Sequence, residues 1–350
     1  MGSKLHADYP WVSGPIVVNA PMEGFAGDEL AIAVTKAGGI GMIGSIMDVD
    51  ALEVKLERAR AAFASDPKLG SRSTLPIGCG ALAFISDMDR AMPVLEKYKP
   101  VILWLFAAKE FDDYGTWARA IRQRSPETKV WIQVGSVTAA LQVAKICSPD
   151  VLVLQGADAG GHGFERGAGI ISLLPEATDV LGANGFGDIP LVAAGGIADG
   201  RGVAAALALG AAGVVMGTRF LAAAETVLHP QYRAAVLKAK DGALSTVRAE
   251  VFDQLRGPNI WPALYNGRAL ATDSYIDSVN GVDIEKIREL YKEASADEDK
   301  GFGKNPRAAV WASASVGIVN DVKPAAEIVH EVRDAATSIL SCLAAFPLGT

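Results

Sequence analysis

The sequence predicts an α/β fold, a (β/α)₈ TIM barrel with a smaller helical lid or insert subdomain. Two observations predict it. Eight short apolar runs alternate with segments of helical length, and each run is apolar on both alternating faces, as in a parallel strand buried on two sides. The eight runs lie within about 220 residues, which is typical of such a barrel. An open, doubly wound sheet uses the same repeat and is the alternative, but the count of eight favours the barrel.

The predicted strands lie between residues 15 and 217. They are Pro15–Ala20, Ile40–Gly44, Leu75–Gly80, Val101–Phe106, Val130–Val134, Val151–Gln155, Pro190–Ala194 and Gly213–Gly217. Apolar residues at spacings of three and four predict helices between them, over Asp28–Ala37, Ala51–Ala64, Asp87–Lys97, Phe111–Arg124, Val137–Ile146 and Gly202–Leu209. Asp50 and Ser136 stand where helix N-caps are expected.

The alternation of strands and helices stops after Phe220. Residues 225–305 contain polar helical sequence, clusters of turn residues and a charged run. They are predicted to form the smaller helical subdomain, over the mouth of the barrel, which shapes the substrate pocket. The barrel domain, which would bind the cofactor, then comprises residues 1–224 and 306–350. Pro324–Leu343 has the spacing of an amphipathic helix packed back on the barrel.

Composition and charge exclude several classes of protein. Half of the 350 residues are hydrophobic, too many for a disordered chain. A formal charge of −7 without a Lys/Arg cluster argues against a nucleic-acid surface, and no apolar run is long enough to span a membrane. Three scattered cysteines and an N-terminus without a secretory signal predict a reduced, cytoplasmic protein with no metal site.

His162 is the candidate catalytic residue. It lies in the loop Gln155–Gly163, which follows the sixth predicted strand and contains four glycines. Active sites of such barrels form at the carboxyl ends of the strands, and an imidazole there can transfer protons near neutral pH. The other interpretation is a flexible turn with an incidental histidine. His6 and His229 have no comparable setting, and His330 is interpreted as a surface or packing residue of the C-terminal helix.

Two further loops are candidates for binding a phosphate group. Gly195 and Gly196 follow the seventh predicted strand, Gly217 and Thr218 follow the eighth, and each pair leads into a helix. Such loops present unpaired N–H groups to a phosphate, and this pair of positions is the usual phosphate site of these barrels. Either pair alone can also be a tight turn. Arg219 either adds charge to this site or braces the fold.

Two side chains are candidates for contact with a flat ligand. Met22 lies in a glycine-rich loop after the first predicted strand, and its polarizable sulfur suits a planar ring as well as ordinary packing. Gln133 lies inside an apolar strand, where a buried amide needs a partner. That partner is either the heteroatom edge of a ring or a group on a neighbouring strand, and both interpretations stay open.

Five motifs together resemble the nitronate monooxygenase family, formerly called 2-nitropropane dioxygenase. They are NAPM (19–22), AGGIGMIG (37–44), GADAGGHG (156–163), AAGGIADG (193–200) and MGTRF (216–220). The resemblance runs from about residue 12 to residue 225, and the segment 311–329 also resembles the family. It implies an FMN-dependent oxidoreductase on a TIM barrel, with the flavin lying across the barrel mouth.

The resemblance also implies roles for individual residues. His162 matches the family's catalytic histidine, which takes the α-proton from a neutral nitroalkane. Backbone amides of Gly195, Gly196, Gly217 and Thr218 would hold the FMN phosphate. The flavin ring would rest near Ala20, Pro21, Met22 and Gln133, with Gly156, Ala159 and Gly160 near its other edge.

The implied reaction is the oxidation of an alkyl nitronate. The nitronate passes an electron to the flavin, and O₂ captures the product to give a carbonyl compound and nitrite. The expected partners are this small-molecule substrate and O₂, with no nucleic acid or membrane, and a homodimer stays open. Asp158, Cys79 and Glu23 depart from the commonest family pattern; Glu23 and Cys79 leave the substrate open.

Two other functions compete with this one. FMN-dependent NAD(P)H:quinone reductases and enoyl reductases share the motifs, although the chain has no separate dinucleotide fingerprint. A non-redox phosphate-binding barrel is the third reading, since fold alone permits it. An aldolase that works through a Schiff base requires a lysine at the end of a strand. None of the eight predicted strands ends in a lysine.

Overall fold

Eight parallel strands form one sheet that curves into a nearly closed barrel. The structure, a computed structural model, describes residues 2–345; Met1 and residues 346–350, which belong to the predicted barrel domain, lie outside the described residues. The barrel strands are β1 (Val17–Asn19), β2 (Gly41–Ser45), β3 (Leu75–Leu82), β4 (Pro100–Phe106), β5 (Lys129–Val134) and β6 (Val151–Gln155). A short strand outside the barrel, β7 (Gly161–Phe164), precedes the last two, β8 (Leu191–Ala194) and β9 (Gly213–Met216). The predicted (β/α)₈ barrel is confirmed.

A buried asparagine helps to close the barrel between its first two strands. The strand order is β1-β9-β8-β6-β5-β4-β3-β2, so closure requires β1 to meet β2. Val18 forms an isolated parallel bridge with Ile40. One position further, the Asn19 side chain donates to Met42 O at 2.8 Å and accepts from Met42 N at 2.9 Å. This amide therefore acts as an additional peptide group in the ladder.

The helices between the barrel strands follow the sequence prediction closely. Helix α1 (Gly2–Asp8) precedes the first strand. The helices between the strands are α2 (Asp28–Lys36), α3 (Val49–Phe63), α4 (Met88–Tyr98), α5 (Phe111–Arg124), α6 (Val137–Cys147), α7 (Ile170–Ala183) and α8 (Gly200–Ala208), and α9 (Thr218–Leu221) follows the last strand. Helix α7 was not predicted; it contains Pro175 and has no side-chain N-cap, so the usual signals of a helix are missing.

One predicted N-cap is correct and the other is shifted. Ser136 caps α6, because its hydroxyl accepts from Ala139 N at 3.2 Å. The prediction of Asp50 as a cap is wrong, since the cap of α3 is Asp48, whose carboxylate accepts from the N–H groups of Asp50 and Ala51. Both aspartates are adjacent to the first apolar positions of α3, and the local sequence does not separate them.

The chain after α9 contains strands as well as helices. In order it forms α10 (Pro230–Lys238), α11 (Gly242–Ser245), β10 (Thr246–Ala249), α12 (Val251–Gln254), β11 (Tyr265–Leu270), α13 (Asp273–Val279), α14 (Ile284–Ala296), a 3₁₀ turn at Val316–Ile318, and α15 (Ala325–Ala344). Strands β10, β11 and β7 form an antiparallel second sheet. These strands were not predicted from the sequence, and the division at residues 225 and 305 stays a prediction. Helix α15 packs against α8 and α2.

The segment after α1 places a buried tyrosine against the barrel. Tyr9 is fully buried and its hydroxyl accepts from Trp131 Nε1 at 2.9 Å; burial raises the pKa of Tyr9 well above its ordinary value. We expect Tyr9→Phe to lower the free energy of unfolding by about 1–3 kcal/mol, because it leaves the buried indole N–H without an acceptor. Urea unfolding measures this loss. In the control Tyr291→Phe, the lost hydroxyl accepts an exposed bond from Arg256, and a loss as large as that of Tyr9→Phe would contradict the argument.

Candidate active site

A cavity of about 410 Å³ opens at the carboxyl ends of the barrel strands. Residues that follow β1, β2, β3, β6 and β9 line it, together with residues at the ends of β4 and β5. The aromatic residues in its walls are Phe25, Phe84, Trp104, Phe106, Tyr232, Trp261 and Trp311. A concave, mostly apolar cavity with a few polar groups is the usual form of a small-molecule site.

The cavity brings together most of the residues that the sequence singled out. Those that line it are Ala20, Pro21, Met22, Gln133, Gly160, His162, Gly217 and Thr218. Gly156, Ala159, Gly195 and Gly196 do not border it. Gly156, Ala159 and Gly195 pack against one another instead, because the Cβ position of Gly195 lies 2.7 Å from Gly156 O and 3.1 Å from Ala159 Cβ, and the Cβ position of Gly196 lies 3.0 Å from Asp158 Cβ.

The loop after β1 sits across the end of β3. A Cβ atom on Gly80 would lie 2.8 Å from Pro21 Cβ, so the absence of a side chain there lets the loop approach this closely. On the other side, the Met22 sulfur lies 3.8 Å from the Cβ position of Gly217. Met22 therefore has a packing contact within the protein and also lines the cavity.

Gln133 has a structural partner and keeps part of its amide for the cavity. Its Oε1 accepts from Trp104 Nε1 on the neighbouring strand at 3.2 Å. This bond orients the amide, and its nitrogen has no hydrogen-bond partner among residues 2–345. Since Gln133 also lines the cavity, the two interpretations of this residue are compatible: the oxygen serves the fold and the nitrogen is available to a ligand.

The loop of Gly195 and Gly196 has a left-handed backbone and leads into helix α8. Gly195 and Gly196 have φ angles of +95° and +75°, a conformation that strongly favours glycine. Helix α8 beyond them is capped from within, because Asp199 accepts from the N–H groups of Arg201 and Gly202. An anion near this loop would therefore meet the N–H groups of the glycines rather than those of the first turn of α8.

Arg219 braces the fold. Its guanidinium donates to Asp321 O and to Asp321 Oδ1, each at 2.9 Å, and the side chain is 7% exposed. The neighbouring Thr218 hydroxyl accepts from Ser313 N at 3.0 Å. Both contacts fasten the end of β9 to the chain between residues 311 and 321, and they support the structural interpretation of Arg219.

His162 is carried by the second sheet rather than by a barrel strand. It lies in β7 opposite Gly267 of β11. Its Nε2 lies 2.7 Å from Asp253 Oδ1. The imidazole stacks on Trp261, with ring centroids 3.6 Å apart and planes at 9°, and Trp311 lies 4.8 Å away at 51°. His162 lines the cavity with a side chain that is 14% exposed.

Two arginines fasten the loop that leads to His162. Arg248 donates to Ala159 O and Arg268 donates to Ala157 O, each at 3.3 Å. The two lie opposite each other across β10 and β11. Burial, together with the charge of Arg268, lowers the pKa of Arg248 to about 10. The position of the 157–159 loop therefore depends on the second sheet.

Two of the three departures from the family pattern, Glu23 and Cys79, differ in their relation to the cavity. Glu23 lines it, and burial raises the pKa of its carboxyl. Cys79 does not line it: the side chain is fully buried in β3, and burial raises the pKa of its thiol to about 12. The Cys79 side chain therefore contributes nothing to the cavity, and its neighbour Gly80 forms part of the cavity wall.

Several residues of the site were not predicted from the sequence. Asp253, Trp261 and Trp311 come from the part of the chain after the barrel strands. They contact His162, which lies in β7 of the second sheet. Gln155 donates from its Nε2 to His162 O at 3.1 Å. Of these unpredicted residues, Gln155 alone had a local signal in the sequence, because it is a polar residue at the carboxyl end of a predicted strand. Among residues 2–345, no group of three His, Cys, Asp or Glu side chains could hold a metal ion, and no helix is long and apolar enough to cross a membrane.

Comparisons with known proteins identify relatives of this chain. The family model for nitronate monooxygenases matches residues 117–334. A nitronate monooxygenase of Metarhizium robertsii is 44% identical over 97% of this chain and 96% of its own, and one of Neurospora crassa is 36% identical over 98% and 95%. Among solved structures, FabK from Thermotoga maritima superimposes with a TM-score of 0.75 at 25% identity, over 98% of both chains.

Proposed function

The chain belongs to the nitronate monooxygenase family, a family of oxidoreductases, and we propose that it is an FMN-dependent nitronate monooxygenase. It oxidises alkyl nitronates with O₂ to carbonyl compounds and nitrite. The observation that carries this proposal is a histidine paired with a carboxylate at a cavity in the barrel mouth, which the predicted loop of Gly217 and Thr218 also lines. Nitroalkanes are the neutral forms from which such a site could generate nitronates.

The residues around the cavity fit a flavin. The free amide nitrogen of Gln133 can donate to an acceptor atom at the edge of the ring, and Met22 offers sulfur to its face. Gly217 and Thr218 line the same cavity and, with Gly195 and Gly196, would supply N–H groups for the phosphate. When bound, FMN would supply the redox chemistry; the protein would orient and tune it.

His162 would act on the neutral substrate before any redox chemistry. An imidazole nitrogen takes the proton from the carbon next to the nitro group, and the electron pair of the broken C–H bond moves into the nitro group to give the nitronate. The positive charge gained by the ring lies between the Asp253 carboxylate and the Trp261 ring face, and both stabilise a cation.

One sequence of measurements separates the proposal from its alternatives. The purified protein should be yellow with bound FMN, and it should turn over a preformed nitronate with consumption of O₂ and release of nitrite. Anaerobic NADH should leave the flavin oxidised. Rapid bleaching by NADH, with no nitronate turnover, would instead indicate an NAD(P)H-dependent reductase. A colourless protein that takes up no FMN would indicate a non-redox barrel.

A substitution at Gly80 tests the position of the flavin. We expect Gly80→Ala to weaken FMN binding about tenfold or more, because overpacking of this kind costs about 1–3 kcal/mol and would displace the loop of Pro21 and Met22. Fluorescence titration of the apoprotein with FMN measures the change. Gly182→Ala is the control, since a Cβ atom there meets nothing within 4 Å. Unchanged FMN affinity in Gly80→Ala would contradict the proposed position.

A further inference from the structure

We propose that Asp253 is a positioning residue for His162. It holds the neutral imidazole with its proton on Nε2, so that Nδ1 is the nitrogen that takes the proton of the substrate. This inference rests on the proposed function, and it names which atom of the ring does the chemistry and which residue selects it.

The hydrogen bond between the two side chains sets the tautomer. His162 Nε2 and Asp253 Oδ1 are 2.7 Å apart, the length of a charge-assisted bond. An ionised carboxylate can only accept, so Nε2 must carry the hydrogen. The lone pair of the neutral ring then resides on Nδ1. That atom has no hydrogen-bond partner among residues 2–345. It is also not fully buried, in contrast to Asp253 Oδ2, which is buried without a partner.

The surroundings of the Asp253 carboxylate offer it few partners other than His162. Its side chain is 4% exposed, and its second oxygen, Oδ2, is buried without a hydrogen-bond partner in the described chain. Among residues 2–345, the one basic group within 4.0 Å of this carboxylate is His162. A buried carboxylate in this situation stabilises a positive charge that forms beside it, so the imidazolium produced by proton transfer is the cation it is placed to meet.

Two indole rings oppose reorientation of the imidazole. Trp261 lies parallel to it at 3.6 Å, and Trp311 lies against it at 4.8 Å. Exchanging Nδ1 and Nε2 requires the ring to turn through the space that these indoles fill. The ring geometry and the hydrogen bond therefore select the same nitrogen.

The proton step balances within this arrangement. The C–H bond next to the nitro group breaks, its electron pair stays on the substrate as the nitronate, and the proton forms a new bond to Nδ1. The ring becomes an imidazolium that keeps its Nε2–H bond to Asp253, and the carboxylate stays ionised. A preformed nitronate has no such proton to lose, so its turnover does not require this step.

Nitrogen NMR of the protein as isolated tests the tautomer without any turnover. The chain has four histidines, and the spectrum of His162→Asn identifies the His162 signals. We expect the proton on Nε2 in the wild-type protein at a pH where the ring is neutral, and a mixture of both tautomers in Asp253→Ala. A wild-type proton on Nδ1, or an unchanged Nε2–H tautomer in Asp253→Ala, would overturn the proposal.

Kinetics separate positioning from a merely structural role. Asp253→Asn, which preserves the shape of the side chain, and Asp253→Ala should lower kcat/KM for a neutral nitroalkane about 10- to 100-fold, which is at or below the lower end of the range for loss of the general base itself, while a preformed nitronate is turned over at close to the wild-type rate. Equal losses on both substrates would reduce Asp253 to a structural contact between α12 and β7. Asp277→Asn is the matched control, because it breaks a 2.7 Å ion pair to Arg307 elsewhere in this part of the chain. Should the wild-type enzyme act on neither substrate, the proposed function fails, and the NMR result still decides the tautomer.

Discussion

His162→Asn should lower the turnover of a neutral nitroalkane by at least about 100-fold, the range expected for removal of a general base. The asparagine can still form hydrogen bonds but cannot take a proton near neutral pH. Turnover of the corresponding preformed nitronate should fall much less, because the proton is already gone. Oxygen uptake and nitrite release, measured with both forms of the same substrate, give the two ratios.

The interpretation of this variant depends on an intact fold and cavity. His330→Asn makes the same change at an exposed position of α15 and should behave as the wild type on both substrates. FMN content should be equal in all three proteins. If His162→Asn retained wild-type activity on the neutral nitroalkane, His162 would not be the base, and Asp253 or Glu23, the carboxyl that lines the cavity, would become the residue to test.

The barrel could be predicted from the sequence because its signals are local. Each strand is a short apolar run that is buried on both faces, and each corresponding helix has its own amphipathic spacing. Strand β5, for example, was predicted over Val130–Val134 and is found over Lys129–Val134. The misplaced cap at Asp50 shows the limit, since two aspartates two positions apart offer the same chemistry and the backbone decides between them.

The second sheet could not be predicted, because its strands depend on partners far away in the chain. Strand β11 contains Asn266 and Gly267, a pair typical of turns. This segment forms a strand because β7 and β10 pair with it on either side. The register of this sheet then brings Asp253 to His162, 91 positions earlier in the sequence. Motif and strand end identified the histidine, but nothing local identified its carboxylate.

The site thus combines two kinds of information. Residues that follow the barrel strands, such as Met22 and Gly217, were predicted because the carboxyl ends of all the strands meet at one mouth. Residues that orient His162 come from the connection between β10 and β11, which contains Asp253 and Trp261, and from the segment around Trp311. In the proposed enzyme the barrel holds the flavin, and the added sheet carries the acid–base chemistry.

Replacing Asn19 with leucine should destabilise the protein by about 2–6 kcal/mol. The leucine side chain has the same number of heavy atoms and the same branch at Cγ, but it leaves both Met42 N and Met42 O without their partner. Asn19 is fully buried, so water cannot replace the lost bonds, and each unsatisfied group costs about 1–3 kcal/mol. This loss would be a large share of the free energy of unfolding of a native protein, which is about 5–15 kcal/mol. Urea unfolding of both proteins measures the difference.

The same change at a surface asparagine separates this effect from a general loss of an amide. Asn184 ends α7, where its Nδ2 donates to Val180 O at 2.8 Å from an exposed position. Asn184→Leu should cost less than about 1 kcal/mol, because water can satisfy the carbonyl it leaves. Equal losses in the two variants would mean that the Asn19 amide does not close the barrel. A selective loss at Asn19, accompanied by weaker FMN binding, would show that the junction of β1 and β2 also holds the loop of Pro21 and Met22 in place, since that loop begins directly after Asn19.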